Sequence, residues 1–104
     1  MRTKFHNRWT QYKGLNYQSK KEATYAQQLD IMMQAGIITG WQRQVRVPLV
    51  IGRKHICWYV VDFVVQNPDG VFEYHEVKGY WTDVAKLKWK LFKALYPDLL
   101  TRII

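Results

Sequence analysis

Between residues 19 and 35 the apolar positions recur every three or four residues. Ala23, Ala26, Leu29 and Met33 lead the pattern, with Tyr25 and Met32 beside them. That spacing gathers them on one side of a helix. Ser19 supplies an N-cap hydroxyl, and Gly36 can leave the helix in the left-handed conformation. From residue 41 the period changes to two. Trp41, Val45, Val47, Leu49 and Ile51 stand in phase among polar residues, which predicts a half-buried strand over 41–51. Pro48 puts that strand at a sheet edge or marks a bend, because proline cannot donate to a central ladder.

Gly52-Arg53-Lys54 turns the chain into HICWYVVDFVVQ, residues 55–66, a nearly continuous apolar run that predicts a central strand covered on both faces. Asn67-Pro68-Asp69-Gly70 then has each residue where a type I turn followed by a left-handed glycine requires it. A further strand follows, carrying Phe72, Tyr74, Val77 and Tyr80. Thr82 can cap a second helix, with Asp83 in its first turn, running to Tyr96 before Pro97. Val84, Leu87, Leu91, Ala94 and Leu95 are its expected core stripe. The closing LLTRII can complete the sheet. The predicted order is α-β-β-β-α-β, an α/β sandwich around one sheet.

Composition narrows the partners. The chain of 104 residues suffices for one domain, and its sixteen Lys and Arg against eight Asp and Glu leave a net charge of +8. Such an excess on a small domain points to a polyanion, most often nucleic acid, the bland alternative being a surface that only aids solubility. Residues 1–18 carry Arg2, Lys4, Arg8 and Lys13 with no acid, interleaved with Phe5, Trp9 and Tyr12. Basic residues alternating with aromatics suit a phosphate backbone with stacked bases, so 1–18 is expected to be a basic arm and 19–104 the folded domain. An ordinary basic tail, or one packing its rings on the domain, is the competing reading. Cys57 is the one cysteine, so neither an intrachain disulfide nor a cysteine zinc site is expected. No apolar stretch approaches the ~20 residues of a membrane helix. Residues 1–13 lack the apolar core of a signal peptide. The expected setting is the cytoplasm, with no membrane partner.

The candidate chemistry lies in FEYHEVKGYW, residues 72–81. In a strand, Glu76 and Lys78 share a face. If Pro68, Asp69 and Gly70 form the loop, Asn67 pairs with Val71, and counting back along both arms puts Asp62 opposite Glu76. Like charges so placed repel, and a carboxylate in the most apolar strand is costly unless compensated. One carboxylate could keep a proton, Lys78 could bridge both, or a divalent cation could bind between them; Mg²⁺ suits two carboxylates plus water. Without Asp62, Glu-Val-Lys would be an ordinary solvated pair.

Asp62 followed by Glu76-Val77-Lys78 on the neighbouring strand resembles the signature of the PD-(D/E)XK nuclease superfamily. SKKEATYAQQLD, RQVRVPL, YVVDFVV and HEVKGYWT together look like a family of small phage-encoded endonucleases, similar also to TnsA-type transposon endonucleases and phage Holliday-junction resolvases. The resemblance implies a restriction-endonuclease-like αβββαβ core with a mixed central sheet flanked by helices. It implies Mg²⁺-dependent cleavage of DNA, Mn²⁺ substituting, with Asp62, Glu76 and the Val77 carbonyl as metal ligands. Lys78 would be catalytic, and Glu22 would join the site from the first helix. Spacing alone favours another role for Glu22: Ser19-x-x-Glu22 is a capping box. Val61 stands where the superfamily's name has proline. The implied partners are duplex or branched DNA, with a homodimer or a phage recombination or packaging protein as further partners, in the host cytoplasm.

Arg2, Lys4, Arg8, Lys13, Lys20, Lys86, Lys88 and Lys90 are the expected DNA contacts, although Lys88 also fits an ordinary solvated lysine. His75 faces away from Glu76 and reads as structural; His55 sits by a turn. Two other functions compete: a non-catalytic DNA-binding accessory protein in which Lys78 neutralises the acid pair, and a nuclease silent without its partner.

Overall fold

A computed structural model describes residues 10–77 and 79–104. Its elements are β1 (Thr10–Tyr12), β2 (Leu15–Tyr17), α1 (Lys20–Gln34), β3 (Gly40–Ile51), β4 (Lys54–Gln66), β5 (Phe72–Glu76), α2 (Asp83–Leu95) and β6 (Leu100–Ile103). Beyond the leading hairpin this is the α-β-β-β-α-β order expected, and the chain is an α/β protein. Strands β3-β4-β5-β6 form the main sheet in that order; the first three are antiparallel neighbours and β6 runs parallel to β5. A parallel pair needs a crossover, and α2 provides it. Pro48 lies on the edge strand β3, where its missing donor is harmless.

Local chemistry sets the boundaries. The Ser19 hydroxyl accepts the Glu22 N–H at 3.1 Å and opens α1. At the other end Gly36, with φ +76°, donates to the Met33 carbonyl, and Ile37 donates to the Met32 carbonyl at 2.9 Å. These two bonds make a Schellman motif, which turns the chain so that Ile38 is buried. In the β4–β5 turn the Asn67 N–H donates to Val71 and the Gly70 N–H to Asn67, both at 2.9 Å, with Gly70 at φ +89°. The expected register therefore holds, and Phe63 stands opposite His75.

The two helices cover opposite faces of the sheet. On one side Phe63 and Val65 pack with Ala23, Ala26 and Leu29 of α1. On the other, Tyr59, Val61 and Val64 pack with Trp89 and Phe92 of α2. Simple alternation would keep residues 59, 61, 63 and 65 on one face. Instead β4 changes face between Val61 and Phe63, and Asp62 is the residue at the change. Ladder pairs flank this point at Arg43–Phe63 and Val45–Val61, and Gln44 between them has φ +54°. The register is the same on both sides, so the change is a local departure of the backbone without an inserted residue.

Three expectations need correction. β4 is covered on both faces only in its second half; in its first half α2 covers the face that carries Tyr59, and Ile56, Trp58 and Val60 are exposed. The stripe of α2 is out of phase: Val84, Leu87 and Ala94 are exposed, while Trp89 and Phe92 are buried and Leu91 and Leu95 partly so. The two large rings bury more area than the aliphatic residues they displace, and they set the helix rotation. On α1, Met33 is exposed, whereas Met32 packs against the core. The arm expected over 1–18 is described from Thr10 onward, where it forms a β-hairpin packed on α1 with Tyr17 fully buried.

Candidate active site

Both helices start at the place where β4 changes face. A cavity of about 260 Å³ opens there, lined by Ser19 and Glu22 of the α1 start, Asp62 of β4, Glu76 and Val77 of β5, and Thr82, the N-cap of α2. Helix N-termini carry partial positive charge, which favours anionic groups beside them. The ladder runs to Phe63–His75; Asp62 and Glu76 are the next residues along the two strands, and their carboxyl groups lie close together. Three carboxylates from three elements thus meet in one cavity.

Each is held. The Asp62 Oδ2 accepts the Val77 N–H at 2.8 Å. Glu76 is buried, and its Oε1 accepts the Tyr59 hydroxyl. Glu22 is buried too; the Ser19 hydroxyl caps its backbone N–H and lies 3.4 Å from its carboxylate. The Glu22 side chain thus lies beside the Ser19 cap hydroxyl and at the cavity. Burial, then the nearby Glu76 and Glu22 carboxylates, push the Asp62 carboxyl up to about 8, against the opposing effect of the Val77 N–H. Burial and the bond to Glu76 likewise raise Tyr59.

The donor set, all oxygens from carboxylates with no thiolate, suits a hard divalent cation. Among the described residues no group of three Asp, Glu, His or Cys forms a ready cation cage. The fit is therefore to a hydrated ion such as Mg²⁺, which takes one or two carboxylates and keeps waters. Asp62 and Glu76 are the residues that would hold it, with Glu22 and the Val77 carbonyl at the same cavity.

Of the other expected site residues, Lys78, Arg2, Lys4 and Arg8 lie outside the described residues. Lys13 pairs with Asp30 at 3.1 Å and so ties the hairpin to α1. Lys86 and Lys90 are exposed on α2, while Lys88 reaches the Trp58 carbonyl at 3.4 Å. Lys20 lines a neighbouring groove of about 360 Å³ that has no carboxylate side chain and so lacks the chemistry. His75 is buried on the far side of β5 from Glu76, bonded to the Tyr25 hydroxyl at 2.5 Å and to Glu73 at 3.0 Å. Sequence reasoning missed Tyr59. Its signal was a hydroxyl in an apolar strand, which needs a partner when buried. It also missed Asp30, which accepts from Tyr12 and from Trp41 Nε1 at 3.0 Å.

Fold and cavity together define an α/β protein with an acidic pocket at the point where both helices begin. The chain belongs to the family described as Protein of unknown function (DUF1064), matched over residues 2–104. A comparison with curated proteins found no match.

Proposed function

We infer that the protein is a metal-dependent nuclease of the PD-(D/E)XK type that hydrolyses DNA phosphodiester bonds. The observation that carries the reading is the convergence of Asp62, Glu76 and Glu22 on one cavity, in the register the turn chemistry dictates. Mg²⁺, or Mn²⁺ in its place, would supply Lewis-acid polarisation of the phosphoryl oxygen and a water of lowered pKa. The protein's own part is positioning. The Val77 N–H holds one oxygen of Asp62 and the Tyr59 hydroxyl holds one oxygen of Glu76, so both carboxylates are fixed in place without a rotamer search. Glu22 adds a negative group at the α1 start that can order water. Lys78 follows Val77 in the chain and is assigned to the attacking water or to transition-state charge on the phosphate.

The test is cleavage of labelled linear, flapped and four-way-junction DNA by full-length protein with Mg²⁺ or Mn²⁺. Glu76→Ala and Lys78→Ala are expected to lose at least a hundredfold in rate while keeping the fold, consistent with losing one electrostatic contact at a reacting centre. Undiminished cleavage by highly purified Glu76→Ala defeats the assignment. A second reading, a closed carboxyl–carboxylate pair in a DNA-binding protein without catalysis, draws on the raised Asp62 carboxyl, which lets the pair share a proton. It requires that neither Mg²⁺ nor Mn²⁺ changes the melting temperature at pH 8. A phage recombination, junction-processing or packaging role, and a homodimer or partner protein, belong to the same proposal and are decided by which DNA is cut.

A further inference from the structure

The outer half of the β3–β4 hairpin presents a sheet face that no described element covers. Ile56 is 48% exposed, Trp58 43% and Val60 42%. Val61 points to the α2 side, so Trp58 and Val60 lie on the opposite face, on the strand that carries Asp62. The strip and the acidic cavity are thus carried by one strand, with Asp62 two residues beyond Val60. Trp58 and Asp62 are four strand steps apart, about 13 Å at the usual strand rise. That distance equals roughly four steps of a stacked nucleic-acid strand.

The polar residues of the strip share one sign. The Arg46 guanidinium lies over the Trp58 indole, 4.2 Å from its centroid, and the His55 ring lies 4.8 Å from the same indole. Arg53 and Lys54 occupy the hairpin tip, and no Asp or Glu occurs anywhere between Asp30 and Asp62. A second copy docking face to face would bring these cations together with no carboxylate from either hairpin to offset them. A polyanion with flat apolar faces matches the strip in both charge and shape: a nucleic-acid strand whose bases are unpaired.

We propose that Trp58 and Arg46 form a stacking platform for an unpaired nucleotide of the substrate, with the indole under the base and the guanidinium on the phosphate. The choice of partner rests on the nuclease reading. The platform deepens that reading by naming the substrate class: single-stranded, flapped or branched DNA rather than intact duplex. A base inside a duplex offers no free face to an indole, so Trp58 discriminates by exposure of the base, not by its identity.

The experiment measures binding in EDTA, where no cleavage occurs, by fluorescence anisotropy with full-length protein. The probes are a single strand, a blunt duplex and a flapped duplex of equal length. Trp58→Ala is expected to weaken single-strand and flap binding about ten- to a hundredfold and blunt-duplex binding less than about twofold, the range stacking supplies. Trp58→Phe keeps most of the affinity, and because residue 58 is exposed both variants should fold, checked by circular dichroism. Arg46→Ala weakens binding to all three probes and flattens the salt dependence by about one phosphate contact. Equal loss on all three probes in Trp58→Ala, no loss at all, or a wild type that binds no nucleic acid overturns the platform. So does a wild-type dimer in sedimentation that Trp58→Ala converts to monomer, since the strip would then be a self-interface. The nuclease reading fails separately, through undiminished cleavage in Glu76→Ala.

Discussion

At the scale of single residues, Asp62 concentrates the tension in this molecule. It sits at the one point where β4 changes face, half-buried beside two other carboxylates, and its carboxyl is raised to about 8. A carboxyl with a raised folded-state pKa contributes its full stability below its ordinary value near 4. That contribution is lost as pH rises through 8. Metal-free wild type should therefore lose stability from pH 5 to pH 9, and Asp62→Asn should not. At pH 8 without metal, Asp62→Asn is expected to melt several degrees above wild type, a shift that about 1–2 kcal/mol produces in a domain of this size. Adding Mn²⁺ should raise the wild type alone. Thermal melts with and without EDTA check both signs, and equal melting of the two proteins at every pH rejects the picture. The Asp62–Glu76 pairing was legible from sequence because a well-specified turn fixes the register. The Tyr59 contact was not, since it depends on where the side chain points after β4 has changed face.

At the scale of elements, the legible features are those set by local rules: the Ser19 cap, the Gly36 exit, the Asn67–Gly70 turn and Thr82, whose hydroxyl accepts the Ala85 N–H at 3.0 Å. Gly36 holds φ +76°, so Gly36→Ala should cost about 1 kcal/mol in urea unfolding. The rotation of α2 was illegible because two apolar stripes compete on that helix, and only tertiary packing selects the one carrying Trp89 and Phe92. This yields a phase test. Phe92→Ala should cost about 3–5 kcal/mol, whereas Leu87→Ser on the exposed stripe should lie within about 0.5 kcal/mol of wild type. Reversed magnitudes would restore the stripe expected from sequence. The leading hairpin was hidden for a related reason. Its anchor is Asp30, in the later half of α1 and not among the cavity residues, and neither Tyr12 nor Trp41 signals that partner by spacing. The Tyr12 hydroxyl, then Lys13 and Trp41, hold the Asp30 carboxyl below its ordinary range. That contribution is present above the ordinary carboxylate pKa near 4 and is lost as pH falls through the lower folded value. Asp30→Ala should accordingly loosen the hairpin at pH 7 and have little effect at pH 2, as read by amide exchange of residues 10–17.

At the scale of the molecule, the distribution of charge joins the cavity to the exposed strip. Of eight carboxylate side chains, Glu22, Asp62 and Glu76 line the cavity, while Asp30 and Glu73 are ion-paired to Lys13 and Arg102. Three of the eight acids thus share one cavity and two more are ion-paired, while among the described residues Lys20, Arg46, Arg53, Lys54, Lys86, Lys90 and Lys93 are exposed. On the nuclease reading, such a field would draw a polyanion to the surface and a small cation to the cavity without any base-specific contact. Affinity for DNA should then be dominated by counterion release. With several of Arg46, Arg53, Lys54, Lys86 and Lys90 each on a phosphate, log K should fall against log salt with a slope of about −3 or steeper. Removing carboxylate charge from the cavity should strengthen binding in EDTA, so Glu76→Gln is expected to bind more tightly than wild type. With Mg²⁺ present that gap should narrow, because the ion neutralises the same charge in the wild type. A shallow slope, or a Glu76→Gln advantage unaffected by Mg²⁺, would mean that nucleic acid does not approach by way of the cavity. The hairpin strip, the acidic hole and the α2 lysines would then be unrelated features of one basic surface.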